Sequence, residues 1–378
     1  MRIGLLHNTL NVQGGAERFT VDLIQVLKDH GHEVHLATFD KVDWNRVREK
    51  MGSCARPDKC LSIFWRRLPI FGIYQRLLMP LAAKRLARTV DVTINTHSDY
   101  LLCKTDIVYM HGVPAVLGGF DLKVPWWKIL YVLPYRFIIW VGTSLKNSPD
   151  DSIFIANSRH TAKKLLEHHG IHADRVIYPP VHTEIYRKLA SQSERENVVL
   201  TISRYAKEKD LDHVLEIAKR TRNDIKFVVV GEAANRFEKA IASGLIDEAR
   251  VLNLRIEFYV NISQDAKREM MAKAKAYLHP GTFEHFGVAV CEAISAGCLP
   301  VAVNEGGHLE ILESLGPIAR CYENFDEAAQ CLERAIDSWN LELAENGSRQ
   351  MERFGINRFA KEFLELIQEF ADQNVVER

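Results

Sequence analysis

Residues 279–312 read HPGTFEHFGVAVCEAISAGCLPVAVNEGGHLEIL. The apolar run just before them, Ala276–Leu278, has the length and character of a buried strand, and Leu299–Val303 is a second such run. Between the two lie a loop, Gly287, and a segment whose small residues Ala289, Ala293, Ser295 and Ala296 let a helix pack closely on a sheet. Strand, loop, helix and strand make a βαβ unit, which requires a parallel sheet with helices on its faces. In open parallel sheets ligands bind beyond the carboxyl ends of the strands, where the first turn of the next helix offers backbone N–H groups to anions. A diphosphate fits at Phe286, Gly287 and Val288. Glu284 lies in the loop and Glu292 roughly one turn inside the helix. A loop carboxylate there suits sugar hydroxyls near a reacting carbon, and one on the helix suits a ribose diol. The plain alternative is a solvated loop residue and a helix-surface charge.

Outward from this segment the same alternation recurs. In the first half the expected strands are Arg2–Leu6, Glu33–Ala37, Val92–Asn95, Ile107–Tyr109, Ser152–Ala156 and Val176–Tyr178, with helical periods near 16–29, 70–88, 126–146 and 159–169. In the second half they are Val198–Ser203, Lys226–Val230, Ile256–Tyr259, Ala276–Leu278, Leu299–Val303 and Ile318–Cys321. The fold class is α/β, with two doubly wound domains, and 378 residues is room for both. The polar stretch RKLASQSEREN (187–197) is the expected linker, which sets domains at 1–187 and 198–355 around a linker at 188–197. Residues 356–378 then form an amphipathic helix that packs on its own domain or crosses back to the first.

Composition narrows the class. Apolar residues make up 47% and charged ones 26%, which excludes a disordered chain. The 49 basic and 49 acidic residues cancel overall, but 1–187 holds 25 against 17 and 188–378 holds 24 against 32, so the first half favours anionic surfaces. Seven cysteines without a CxxC pair argue against a zinc site or a disulfide framework and fit a reducing compartment. The opening MRIGLLHNTL is too short an apolar run for a secretory signal, so a cytoplasmic location is expected.

Three further motifs bear on chemistry. TISRYAKEKDLDHVLEIAKR (201–220) places Arg204 at a strand end and Lys209 at the start of the next helix, where two cations neutralise a departing nucleoside diphosphate. Asp210-Leu211-Asp212 resembles a metal-binding DxD, but acidic residues opening a helix are common caps, so no metal is expected. NTLNVQGGAERFTVDLIQVLKDHGHEV (8–34) is a strand, a glycine loop and a helix, with Gly14 and Gly15 free to approach a ligand or take positive φ. No GxGxxG is present, which disfavours a nicotinamide dehydrogenase.

Taken together, GGAER, the Arg204/Lys209 pair and EHFGVAVCEA…GG resemble the retaining GT-B glycosyltransferases of family 4, whose E-x7-E is matched by Glu284 and Glu292. Within that family, EHFG, NEGGHLEIL (304–312) and YPPV (178–181) are most similar to the α-1,2-mannosyltransferases that extend the lipid-linked trimannosyl core in asparagine-linked glycosylation. The resemblance implies two Rossmann-like domains facing a central cleft, GDP-mannose as donor, a lipid-linked glycan as acceptor, and no cofactor or metal. It implies that Arg204 and Lys209 bind the donor diphosphate and Glu292 the ribose. Glu284, with the amides of Phe286, Gly287 and Val288, would hold the sugar and its phosphate, and Gly15, beside Gly14, would close on the diphosphate from the other domain. His111 in DIVYMHGVP matches a histidine that contacts the donor sugar in relatives, with His97 in INTHSDY as a second possibility.

For the acceptor side, 56–91 mixes Arg56, Lys59, Arg66, Arg67, Arg76, Lys84, Arg85 and Arg88 with Phe64, Trp65, Leu68, Ile70 and Phe71, a composition suited to an anionic bilayer surface or to a helix with a solvated basic face. VPWWKILYVLPYRFIIWVGTSL (124–145) is a second such segment, which Pro134 and Arg136 make unfit to span a membrane but fit for its interface or a domain core. The expectation is a peripheral protein on the cytoplasmic membrane face. Nucleic acid is not an expected partner, because no reading motif accompanies the basic half. Competing readings are a nucleotide-sugar-binding partner protein without activity, a transferase with another donor and a non-lipid acceptor, and a two-carboxylate glycosidase.

Overall fold

Strands such as Val92–Asn95 and Ile107–Met110 are buried along their whole length, so they belong in sheets covered on both faces, where parallel pairing is found. The computed structural model describes residues 1–12, 14–52, 54–66, 74–98, 103–113, 133–135, 137 and 152–376. It divides into two units, Met1–Tyr178 with Ala360–Arg378, and Pro179–Phe359.

The first unit runs β1 (Arg2–Leu6), α1 (Gly15–Asp29), β2 (Glu33–Asp40), α2 (Trp44–Met51), β3 (Lys59–Phe64), α3 (Met79–Ala87), β4 (Val92–Asn95), β5 (Ile107–Met110), β6 (Ile153–Ala156), α4 (Arg159–His169) and β7 (Arg175–Val176). All pairings are parallel, in the order β3-β2-β1-β4-β5-β6-β7. The order reverses between β1 and β4, which opens a crevice beyond their carboxyl ends.

β3 was not expected from the sequence. It is an edge strand with only Leu61 and Ile63 turned inward, so the buried run that marks a central strand is missing. In the expected helix 70–88, the described part is a 3-10 turn, Tyr74–Leu78, followed by α3. Met79, Ala82, Ala83 and Leu86 bury one face of α3 against Leu6, Ala37 and Phe39, while Lys84, Arg85 and Arg88 stay exposed. α3 is therefore a packed helix of this unit with a solvated basic face. Of the 124–145 segment only 133–135 and 137 are described, as helix; Trp126, Trp127, Arg136 and Trp140 lie outside the described residues.

The second unit runs α5 (Thr183–Ala190), β8 (Glu196–Ile202), α6 (Asp212–Ala218), β9 (Lys226–Gly231), α7 (Arg236–Val251), β10 (Ile256–Val260), α8 (Gln264–Lys273), β11 (Ala274–His279), α9 (Val288–Ser295), β12 (Leu299–Val303), α10 (Leu309–Leu312), β13 (Arg320–Tyr322), α11 (Phe325–Ser338) and α12 (Leu341–Gln350). Its sheet is also parallel, β10-β9-β8-β11-β12-β13, with the reversal between β8 and β11. The final helix α13 (Ile356–Val376) starts in this unit, and its residues from Ala360 group with the first. There Phe363 approaches Phe19 and Tyr109, and Glu369 pairs with Arg175.

The units divide at Tyr178/Pro179, whereas the sequence placed a linker at 188–197. That polar stretch holds the end of α5 and the start of β8 instead. Its polarity has a structural use, because the Arg195 guanidinium is tucked in and donates to the carbonyls of Leu189, Met271, Ala274 and Ala296. These carbonyls lie at or just past the C-terminal ends of α5, α8 and α9, where the last turn leaves carbonyl oxygens to be satisfied by other donors. All seven cysteines are free thiols.

Candidate active site

The reversal of strand order in the second sheet brings together the loops after β8 and β11. After β8 the buried Tyr205 donates its hydroxyl to the carbonyls of Val229 and Tyr259 and anchors the chain, leaving its neighbour Arg204 half exposed. Arg204 pairs with Glu208 at 3.1 Å and Glu238 at 3.7 Å, on the side of its own loop and α7. Lys209 turns the other way. Its Nζ lies 2.9 Å from Glu284 Oε2, and the two side chains are only 18% and 20% exposed.

Asp210, at φ +48°, closes the 3-10 turn Lys207–Lys209, and its Oδ2 accepts from the Thr282 N–H and hydroxyl. It clamps one loop to the other. Neither aspartate caps α6 as expected: its N-cap is Leu211, without a side-chain hydrogen bond, and Asp212 lies in the first turn, where a carboxylate favours the helix dipole. Asp210, Asp212 and His213 bring possible ligand atoms within 4.8 Å of one another, and Asp210 is committed to Thr282.

Burial opposes charge on Glu284, but the Lys209 ammonium, then His279 and the Lys209 hydrogen bond, outweigh it and hold the carboxyl down at about 2. His279 ends β11 with its Nε2 3.8 Å from Glu284 Oε2. Burial first, then the neighbouring His308, pushes its imidazole down to about 3, so it is neutral at pH 7. His308 donates Nε2–H to the Val303 carbonyl and sets its ring edge-on to His279, with centroids 4.6 Å apart.

The NEGG loop is pressed against this loop. Gly307 N–H donates to the Glu284 carbonyl at 2.7 Å, and a Cβ at Gly307 would stand 1.9 Å from the His285 oxygen. Gly287, at φ +103°, is the N-cap of α9 and supplies no capping side chain. The first turn of α9 therefore has no side-chain cap, and Phe286 just before it is buried against Phe354.

Glu292 has a different partner. Its Oε2 is 2.9 Å from Nζ of Lys267 on α8, and Tyr186 of α5 lies against the same ammonium. Both glutamates reach Tyr277 electrostatically, adding to the burial that suppresses its ionisation. Lys267, Tyr186, His279 and His308 escaped the sequence reading; only the histidine in LHPG, at a strand end, gave a local signal.

The reversal point of the first sheet holds different chemistry. The fully buried His7 follows β1, with Nδ1 3.0 Å from the hydroxyls of both Thr20 and Thr96 and Nε2 3.9 Å from Glu17 Oε1. Burial raises the Glu17 carboxyl, but His7 and the residue's own amide more than offset this and leave it below the usual range. His97 sets its ring edge against His7 at 5.0 Å. His111 has its Nε2–H committed to the Thr96 carbonyl at 3.0 Å, and its own carbonyl accepts from Asn157. Gly14 and Gly15 precede this cluster. Neither takes positive φ, because Gly14 is an extended N-cap and Gly15 opens α1, and a Cβ on Gly15 would meet nothing within 4 Å. Further out, Trp65 after β3 is 74% exposed, with Lys41 Nζ 4.5 Å from its ring centroid. No helix among the described residues is long and apolar enough to cross a membrane.

Comparison with known proteins fits this geometry. Residues 13–185 match the family described as Glycosyltransferase Family 4, and residues 183–353 the one described as Glycosyl transferases group 1. The chain is 26% identical over 218 residues to the GDP-Man:Man(3)GlcNAc(2)-PP-Dol alpha-1,2-mannosyltransferase of Dictyostelium discoideum, a match covering 53% of this chain and 43% of that protein. It is 24% identical to the Saccharomyces cerevisiae alpha-1,3/1,6-mannosyltransferase ALG2, over 96% of this chain and 81% of that one. The chain spans about half or less of the length of the first of these relatives. Among solved structures, Anabaena HepE in complex with UDP and glucose superposes with a TM-score of 0.73 at 16% identity, covering 98% of this chain and 100% of that one. WaaG, a glycosyltransferase involved in lipopolysaccharide biosynthesis, gives 0.69 at 15% identity, covering 97% and 99%. These two likenesses concern the fold.

Proposed function

Since the chain belongs to the group 1/family 4 glycosyltransferases, we propose that it moves mannose from GDP-mannose to a lipid-linked glycan, working as a peripheral protein on the cytoplasmic face of a membrane. The observation that carries this reading is the Lys209–Glu284 pair, held at 2.9 Å where the second sheet reverses its strand order. A carboxylate kept charged beside an ammonium offers a sugar hydroxyl and a diphosphate their opposite partners within one side-chain contact.

In this reading Glu284 accepts hydrogen bonds from the mannose, and Lys209, Arg204 and the amides of Phe286, Gly287 and Val288 take the charge that grows as the bond to the diphosphate breaks. Lys209 is shared between the carboxylate and the incoming phosphate, and Arg204 exchanges its surface partners for the phosphate. Glu292 accepts from the ribose hydroxyls. His111, fixed by Thr96, contacts the donor sugar. As the bond to the diphosphate breaks, the acceptor hydroxyl adds on the same face and gives its proton to the departing phosphate oxygen, so the anomeric configuration is retained, and no metal takes part. The exposed Trp65 with Lys41, and the basic face of α3, supply the contact with anionic lipid.

The test is incubation of the full chain with radiolabelled GDP-mannose and a dolichyl-diphosphate-linked glycan. Label in the lipid fraction that an α-mannosidase releases is the expected result, and Lys209→Ala should reduce it about a hundredfold or more. Tight GDP binding without product, or unimpaired transfer by the variant, overturns the reading.

A further inference from the structure

Lys267 sits on α8, outside both loops of the site, yet only 15% of its side chain is exposed, and its Nζ meets Glu292 Oε2 at 2.9 Å, with that side chain 18% exposed. Ordinary surface pairs in this chain look different, for example Lys361–Glu365, mostly exposed and 4.0 Å apart. A lysine withdrawn from water this far is held by its anion, and the anion is equally held by the lysine. Tyr186, itself 5% exposed, closes the pair from a third element, α5, with the ammonium 5.7 Å from its ring centroid. Helices α5, α8 and α9 therefore fix one carboxylate between them.

That arrangement answers a specific need. A glutamate that reads a vicinal diol must hold its carboxylate in one orientation, and a free glutamate loses rotamer entropy in doing so. A carboxylate locked beforehand avoids that loss on binding. We propose that Lys267 is a positioning residue for the donor nucleoside, holding Glu292 in the rotamer that accepts the two ribose hydroxyls, with Tyr186 shielding the pair. This rests on the assignment of Glu292 to the ribose made above.

The experiment is calorimetric titration of the full chain with GDP, UDP and ADP, and with the 2′,3′-dideoxy counterpart of whichever binds most tightly. The native chain should prefer the ribo form about tenfold or more, the scale of a charge-assisted hydrogen bond. Lys267→Met should bind the dideoxy form within about twofold of the native chain while its ribo preference falls to about twofold, and Lys267→Arg should recover part of it. Because the readout is a ratio within one protein, loss of folded material cancels, and Lys267→Gln replaces the methionine variant if that one does not fold. Equal weakening of both ligands, or an undiminished preference, overturns the proposal. If Glu292→Gln abolishes the preference while Lys267→Met keeps it, the ribose assignment stands and the role of Lys267 falls. A native chain without ribo preference overturns both.

Discussion

The two sheets reverse their strand order in the same way, between β1 and β4 and between β8 and β11, yet the side chains gathered at the two reversal points have little in common. In the second unit, Glu284 and Glu292 each meet a lysine at 2.9 Å. In the first, Glu17 meets the His7 imidazole at 3.9 Å, and the remaining partners are threonine hydroxyls and further histidines. One architecture thus builds a site of lysine–glutamate pairs and a site of hydroxyls, imidazoles and one carboxylate. The sheet supplies the crevice; the loops and helices that follow its strands supply the charge.

That contrast can be broken experimentally, and the largest effect belongs to Gly307. Its added methyl in Gly307→Ala would strike the His285 backbone oxygen, which cannot move aside as a side-chain tip would. The variant should lose about 4 kcal/mol or more of stability in urea titration, and a cost below about 1 kcal/mol would show that the two loops are not pressed together.

Lys209→Met comes next, at about 3 kcal/mol at pH 7, because it strands a largely buried carboxylate. The pH dependence carries the sign. The folded value of about 2 for Glu284 lies below its ordinary 4.5, so its stabilisation is complete above pH 4.5 and lost as pH falls towards 2. Urea midpoints at pH 7 and pH 3 should therefore show the gap between native chain and variant shrinking to about half.

In the first unit Glu17→Gln should cost only about 1 kcal/mol, the worth of a modest polar contact. The Glu17 carboxyl is likewise held below its ordinary value, so that gap should be steady at neutral pH and close as pH falls below 4.5. A gap as large as that of Lys209→Met would erase the distinction between the two reversal points.

The smallest effect on folding is expected for Trp65→Ala, within about 0.5 kcal/mol, since the ring is exposed and touches mainly Lys41. Sedimentation with phosphatidylglycerol vesicles should nevertheless show weaker binding; unchanged sedimentation would remove Trp65 from the membrane contact proposed for this unit.

Reading from the residues reached the central strands because burial on both faces leaves a local mark, as in Val92–Asn95 or Leu299–Val303. It failed at β3, where an edge strand mixes lysine and serine with inward leucine and isoleucine. Glu284, Lys209 and the glycines around α9 were legible as a loop, a cation and a helix start. Lys267 was not, because on the sequence it is one lysine of the polar run QDAKREMMAK, indistinguishable from Lys273 in the same helix. The polar stretch around Arg195 looked like a linker for the same reason, since polarity that serves water and polarity that serves buried carbonyls are alike until the neighbours are known.

By itself, then, the amino-acid order determined two parallel α/β sheets, the loops that follow their strands, and the residue types available at those loops. Which charges meet was decided only by the folded chain. Lys209 and Glu284 stand 75 positions apart, and Lys267 and Glu292 stand 25. Strand formation depends on hydrophobic burial of neighbours along the chain, whereas an ion pair depends on the order in which strands are laid side by side, and that order is a property of the whole sheet.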